Sequence, residues 1–180
     1  RYVHDGLAEA VKYGCIGDRE LFELFEHIKS QEDLEKNIEE IILRSILQKT
    51  RLVEEDQFDN GSRQLLNFGH TIGHAIERYF HYSTFTHGEG VAIGMCLLSE
   101  QTEKLGLTAK GSTRRLINVL HKLSLPTSIN VSAEELIPQI MHDKKRRGKE
   151  ITLVVMDTIG KASLLKVPTD ELGKYIVTGE

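Results

Sequence analysis

The sequence predicts a mainly α-helical domain of several helices with one small β-hairpin near its end. Three observations predict this. Apolar residues recur at helical spacing over most of the chain, and glycine-containing or polar breaks separate those stretches. Only near the end do β-branched residues gather on both sides of a glycine turn.

The elements follow in order. "DGLAEAVKYG" puts Leu7, Ala10 and Val11 on one side and predicts a first helix closing on Gly14 as its C-cap. Asp18 is placed to cap the helix of "RELFELFEHIK". "QEDLEKNIEEIILRSILQKTRLVEED" carries Leu34, Ile38, Ile41 and Ile42 and predicts a long helix, which "QFDNGS" ends. Residues 62–80 and 88–105 predict two further helices, the second stopping at Gly106. The run from Val91 to Leu98 is apolar on most sides, so that helix is expected to be central and buried. Another helix covers 112–123. "SAEE" from Ser132 has capping-box spacing and starts one more, which Pro138 is expected to kink. "EITLVVMD", "TIGK" and "ASLLKV" predict the hairpin, and "TDELGKYIVTGE" begins a helical pattern again.

The 180 residues suffice for one domain with a real core, and 39% hydrophobic with 28% charged residues is ordinary for a globular chain. A net charge of −4 argues against a general nucleic-acid binder. Cys15 and Cys96 lie far apart without a CxxC pattern and read as buried thiols in a reducing compartment. No apolar run has membrane-span length and no signal-peptide pattern opens the sequence, so a cytoplasmic protein without membrane contact is the expectation. The start at Arg1 and the helical pattern cut off at the end read as a piece of a longer chain.

Residues 67–95, "NFGHTIGHAIERYFHYSTFTHGEGVAIGM", hold the densest chemistry. On one continuous helix with Arg63 at zero, Asn67 falls at about +40°, His70 at about −20°, His74 at about +20° and Glu77 at about −40°. Asn, His and Gly are poor helix formers, so a merely solvated stripe would use Glu, Lys and Gln instead. Gly69 and Gly73 leave a flat place for close approach by a helix or a ligand. Histidines at i and i+4 can share a metal, and His87 could add a third nitrogen. Spacing alone therefore points to a zinc site of His70, His74 and His87. Glu89 is placed either as a general acid or as a cap and support beside His87.

"LNFGHTIGHAIE" followed by "HGEGVAIGM" closely resembles 3-dehydroquinate synthase, an enzyme of the shikimate pathway to aromatic amino acids. "GLAEAVKYG" at 6–14, "DNGSRQLLNFGH" at 59–70 and "HDKKRRG" at 142–148 agree with it in order. The resemblance implies the helical carboxy-terminal half of a two-domain enzyme, with residues 1–180 binding metal and substrate. The amino-terminal half of that family holds NAD, and its glycine-rich segment has no counterpart here.

The resemblance also implies a different metal set. Glu9 of "AEAVK", His70 of "GHTIGH" and His87 of "HGEGVA" would hold a divalent ion, zinc or cobalt, with His74 facing the substrate. The implied reaction turns the phosphorylated keto acid 3-deoxy-D-arabino-heptulosonate 7-phosphate into 3-dehydroquinate and phosphate, a carbon–oxygen lyase reaction with transient oxidation by NAD. Lys49 and Arg63 would bind the substrate carboxylate. Asn67, His74 and Lys144 or Lys145 would bind its phosphate end. Lys12, His74 and Asp59 would be the catalytic side chains, Lys12 touching substrate hydroxyls and Asp59 relaying protons. Asp59 stands where many members have Glu, Ser62 where Leu is common, and Gly90 where Ala is common. The full enzyme would be a homodimer.

Two alternatives are weighed against this. A related sugar-phosphate cyclase, such as a 2-deoxy-scyllo-inosose synthase, would share fold and metal, but those cyclases tend to have an acidic residue in place of Asn67. A non-enzymatic helical metal-binding module would have no use for Lys12, Lys49, Arg63 and Asn67 together.

Overall fold

The structure, a computed structural model, describes residues 2–58, 61–142 and 149–176. Helix α1 (Tyr2–Ile16) leads to α2 (Arg19–His27) and the long α3 (Gln31–Glu55). A 3-10 helix (Ser62–Asn67) precedes α4 (His70–Tyr79), α5 (His87–Lys104), α6 (Ser112–Lys122) and α7 (Ala133–His142). Strands β1 (Glu150–Thr158) and β2 (Lys161–Pro168) form the antiparallel hairpin, and a second 3-10 helix covers Thr169–Lys174. The mainly α class with one terminal hairpin is therefore what the chain adopts.

The expected caps form. Asp18 accepts a hydrogen bond from Leu21 N at the start of α2, worth about 1 kcal/mol. Its carboxylate is also bound by Arg44 at 2.9 Å, which ties α3 to that turn. Ser132 and Glu135 make the reciprocal bonds of a capping box ahead of α7, which runs through Pro138.

Two boundaries differ from expectation. Gly14 does not end α1, which continues to Ile16; a Cβ at Gly14 would lie 3.0 Å from Phe22 Cβ, so this glycine serves the packing of α2. Residues 62–80 are not one helix. The 3-10 helix stops at Asn67, and Gly69 turns the chain with φ of +79° before α4 starts at His70. A positive φ is cheap only for glycine, so the break is written into that residue.

Helix α5 is central, as its apolar run implies. Val91, Ala92, Met95 and Cys96 enter a core shared with α1, α2 and α6. Ile93, Leu97 and Leu98 enter a second core built with α4, α7 and the hairpin. Both cysteines are buried and free. Outside these cores, α3 shows Ile42, Leu43, Ile46 and Leu47 to solvent, each more than half exposed, so Ile42 is not a core residue. No helix among the described residues is long and apolar enough to cross a membrane.

Candidate metal centre

Two close helix contacts build the site. Helices α4 and α5 meet backbone to backbone: a Cβ at Gly94 would lie 2.2 Å from Gly69 O, and one at Gly73 would lie 3.0 Å from Gly90 O. Only residues without a side chain allow that approach. Helix α1 meets the start of α5 in the same manner. Gly88 N donates to Asp5 Oδ1 at 3.0 Å, and a Cβ on Gly88 would lie 2.4 Å from Asp5 Cα. These contacts fix Glu9, one turn after Asp5, against the first residues of α4 and α5.

Those first residues are His70 and His87. Thr86 and Glu89 close a capping box on α5, with Thr86 N donating to Glu89 Oε2 at 2.8 Å. Of its two sequence readings, Glu89 takes that of the cap. His70 Nδ1 lies 3.1 Å from Phe68 O, and His87 Nδ1 lies 3.3 Å from Glu77 Oε1. Both neighbours can only accept, so each Nδ1 carries a proton, and a ring that is neutral keeps its lone pair on Nε2. Hydrogen bonding of a protonated Nε2 to Glu9, against burial and with the help of Glu77, raises the His87 pKa and favours its charged form in the absence of a metal cation.

Both Nε2 atoms face one carboxylate oxygen. Glu9 Oε1 lies 3.3 Å from His70 Nε2 and 3.5 Å from His87 Nε2. That oxygen is buried and has no hydrogen-bond partner among the described residues. With both rings neutral, three electron-pair donors converge on one point, which is unfavourable unless a cation, either a metal ion or an added proton, sits there. Ligands about 2.1 Å from a tetrahedral zinc ion stand about 3.4 Å apart, so the observed spacing fits such an ion. Two histidines and one glutamate also form a known donor set for catalytic zinc, leaving coordination positions for a substrate.

Burial alone would raise the Glu9 pKa. Where His70 and His87 carry a proton on Nε2, their hydrogen bonds to the carboxylate and the ammonium of Lys12 outweigh it and hold the carboxyl well below the usual carboxylate range. On neutral rings protonated at Nδ1 those two bonds are absent, and a cation would take their place. Lys12 is itself buried, donates to Glu9 Oε2 at 2.5 Å and stands 5.0 Å from the centre of the Tyr13 ring. Burial lowers its pKa, Glu9 raises it, and the charge of Lys49 lowers it further. Burial, then the neighbouring Glu9 charge, pushes the Tyr13 hydroxyl up to about 12.

His74 lies one turn along α4, more than half exposed, with its ring 5.5 Å from that of His70 and 5.7 Å from that of His87. Burial and then the neighbouring His70 lower its pKa, which favours the neutral ring. It belongs to a second group with Glu77 and His87, whose possible ligand atoms also lie within 4.8 Å of one another. The set His70, His74 and His87, read from spacing, does not come together in that way, whereas Glu9, His70 and His87 do.

The remaining expected site residues are spread around this cluster. Lys49 is exposed on α3, near enough for its charge to act on Lys12. Arg63, in the 3-10 helix, donates from Nη1 to Gln57 O at 3.3 Å, and Asn67 ends that helix exposed. The break at Gly69 means that neither shares a helix face with His70 and His74. Asp59, Lys144 and Lys145 lie outside the described residues. Asp5 and Glu77 had no role in the sequence reading. Their only signals there are a place one turn before Glu9 and a place on the His70–His74 stripe.

Comparison with known proteins places this geometry. The family profile described as 3-dehydroquinate synthase C-terminal matches residues 6–146. A 3-dehydroquinate synthase of Clostridium acetobutylicum is 47% identical over 177 residues, 98% of this chain and 50% of the relative. One of Enterococcus faecalis is 41% identical over 98% of this chain and 49% of its own length. The chain thus spans about half the length of these relatives. Among solved structures, a 2-epi-5-epi-valiolone synthase of Streptomyces hygroscopicus with NAD+ and Zn2+ bound is similar at a TM-score of 0.78 and 23% identity, over 96% of this chain and 49% of that one. A 2-deoxy-scyllo-inosose synthase complexed with carbaglucose-6-phosphate, NAD+ and Co2+ is similar at 0.75 and 22%, over 96% and 51%. At those identities the likeness speaks for the fold alone. The profile match and the close sequence relatives together establish that the chain belongs to the 3-dehydroquinate synthase C-terminal family.

Proposed function

We propose that this chain is the metal- and substrate-binding half of a 3-dehydroquinate synthase, acting on 3-deoxy-D-arabino-heptulosonate 7-phosphate to give 3-dehydroquinate and phosphate. The observation that carries the reading is the buried, unpartnered Glu9 Oε1 facing the Nε2 atoms of His70 and His87. A zinc or cobalt ion held by Glu9, His70 and His87 would supply Lewis acidity to adjacent substrate oxygens. NAD would be held by an amino-terminal half beyond this chain.

This chain's side chains then have separable tasks. Lys12, fixed between Glu9 and the Tyr13 ring, is placed to donate to a substrate hydroxyl beside the ion. Lys49 and Arg63 supply positive charge for the substrate carboxylate, and the Arg63 guanidinium suits it because its donors match both oxygens. Asn67 and His74 would take the phosphate end together with a lysine of the 144–145 pair. A neutral His74 can accept a proton at an imidazole nitrogen while the phosphate leaves.

A second reading, another sugar-phosphate cyclase, is favoured by the fold likeness to the valiolone and inosose synthases. Asn67 weighs against it, because those cyclases tend to carry an acidic residue where this chain has the amide. The test joins this chain to an amino-terminal half of the kind its relatives have and follows phosphate release with NAD and zinc or cobalt. Turnover of the heptulosonate phosphate, with no turnover of a hexose 6-phosphate, is the expected result. The reverse preference would establish the second reading.

A further inference from the structure

Glu77 is an unusual residue for its position. It lies on α4 one turn beyond His74, and its side chain is 11% exposed although α4 has open surface beside it. Burying a carboxylate costs several kcal/mol unless polar neighbours compensate it. The neighbours here are imidazoles: His87 Nδ1 at 3.3 Å from Oε1 and His74 Nε2 at 4.0 Å from Oε2. The seam between α4 and α5 holds the side chain in place, since Gly90 is close enough that a Cβ there would lie 3.5 Å from Glu77 Cγ.

His70 and His87 are anchored in parallel ways but by unlike groups. His70 gives its Nδ1 proton to a neutral carbonyl, Phe68 O, supplied by the turn before α4. His87 instead gives its Nδ1 proton to the carboxylate of Glu77 from the neighbouring helix. A ligating imidazole needs its second nitrogen anchored, because the anchor selects the tautomer and fixes the ring plane. We propose that Glu77 is the positioning residue of this centre: its carboxylate receives the Nδ1 proton of His87 and aims His87 Nε2 at Glu9 and His70. This rests on the reading that Glu9, His70 and His87 hold the ion.

The same geometry assigns the second group, His74, Glu77 and His87, an orienting role. A proton between Glu77 Oε1 and His87 Nδ1 occupies the lone pair that a metal would need there. Glu77 also stands beside His74, the imidazole that would meet the substrate, with its Oε2 4.0 Å from His74 Nε2.

The experiment uses the 180-residue chain with Glu77→Ala, Glu77→Gln and Glu9→Ala, and has two readouts. Chelator competition gives the zinc and cobalt affinities. Nitrogen-15 NMR of the metal-free protein at alkaline pH gives the tautomer of each histidine ring. Glu77→Ala is expected to weaken metal binding by about 10- to 100-fold. It should also shift His87, and not His70, from the Nδ1–H toward the Nε2–H tautomer. Glu77→Gln retains an acceptor oxygen and should recover most of the affinity and the wild-type tautomer. Should Glu77→Ala not fold, Glu77→Asp takes its place, since it withdraws the carboxylate by one methylene. Wild-type affinity together with an unchanged His87 tautomer overturns the proposal. If the wild-type chain binds neither ion, or Glu9→Ala binds like wild type, the metal reading fails. The His87 tautomer in the Glu77 variant still decides whether the carboxylate anchors that ring.

Discussion

Glu9, His70 and His87 come from three helices, whereas His74, Glu77 and His87 come from two, and either group brings its possible ligand atoms within 4.8 Å. They differ in what their atoms already do. In the first group an unpartnered oxygen faces two imidazole Nε2 atoms, and in the second a carboxylate already accepts from the shared histidine. Proximity of ligating residue types is therefore a poor guide to a metal site. Unsatisfied valence at their meeting point is a better one, because folding leaves a buried polar atom unpaired only at a cost.

The sharpest way to break the comparison is to remove ligands one at a time. Glu9→Ala, His70→Ala and His87→Ala are each expected to lose most bound zinc after dialysis, while His74→Ala keeps it near stoichiometric. Atomic emission on the four purified variants reads this directly. A zinc-free His74→Ala beside a zinc-replete Glu9→Ala would move the ion to the second group.

Glycine variants test the same difference through the scaffold. Gly88→Ala pushes against the α1 backbone at Asp5 and so acts mainly on the group that includes Glu9, although the neighbouring His87 belongs to both. Gly94→Ala pushes α4 from α5 at Gly69 O and disturbs both. Each should destabilise the fold by about 2 kcal/mol, measured by urea unfolding. Metal affinity should fall in both. An affinity that survives Gly88→Ala and falls only in Gly94→Ala would favour the second group.

A third test concerns the substrate side, in an enzyme completed by its amino-terminal half. Asn67→Glu would set a carboxylate where the phosphate is expected. It should lower kcat/KM for the heptulosonate phosphate by well over tenfold, on the order of 2 kcal/mol. Metal content should stay unchanged, since Asn67 belongs to neither group. An unchanged kcat/KM would remove Asn67 from the substrate site.

The smallest expected effect comes from the seam itself. Gly90→Ala puts a Cβ 3.2 Å from Gly73 O, a contact relieved by a shift of a few tenths of an ångström. The cost should stay below about 1 kcal/mol, with metal retained. A loss as large as that of Gly94→Ala would mean that the seam tolerates no adjustment near Glu77.

What the sequence determined by itself was local or carried by a motif. Asp18, Ser132 and the glycine turn of the hairpin act on their immediate neighbours, so the elements they start or close could be read directly. The unbroken apolar run of α5 marked it as central because none of the residues from Val91 to Leu98 carries a polar group to present to water. The resemblance named Glu9, which no spacing argument from His70 could reach across an intervening helix pair. Tertiary structure decided the rest. Gly14 looked like a helix end, but the packing of Phe22 against it outweighed its local preference to stop the helix. The stripe from Arg63 to Glu77 assumed one helix, and the positive φ at Gly69 ended that assumption. Which carboxylate meets which imidazole depended on how closely α1 and α4 approach α5. That distance is set by glycines opposing a backbone far away in sequence, a pairing that becomes visible only when the helices are packed.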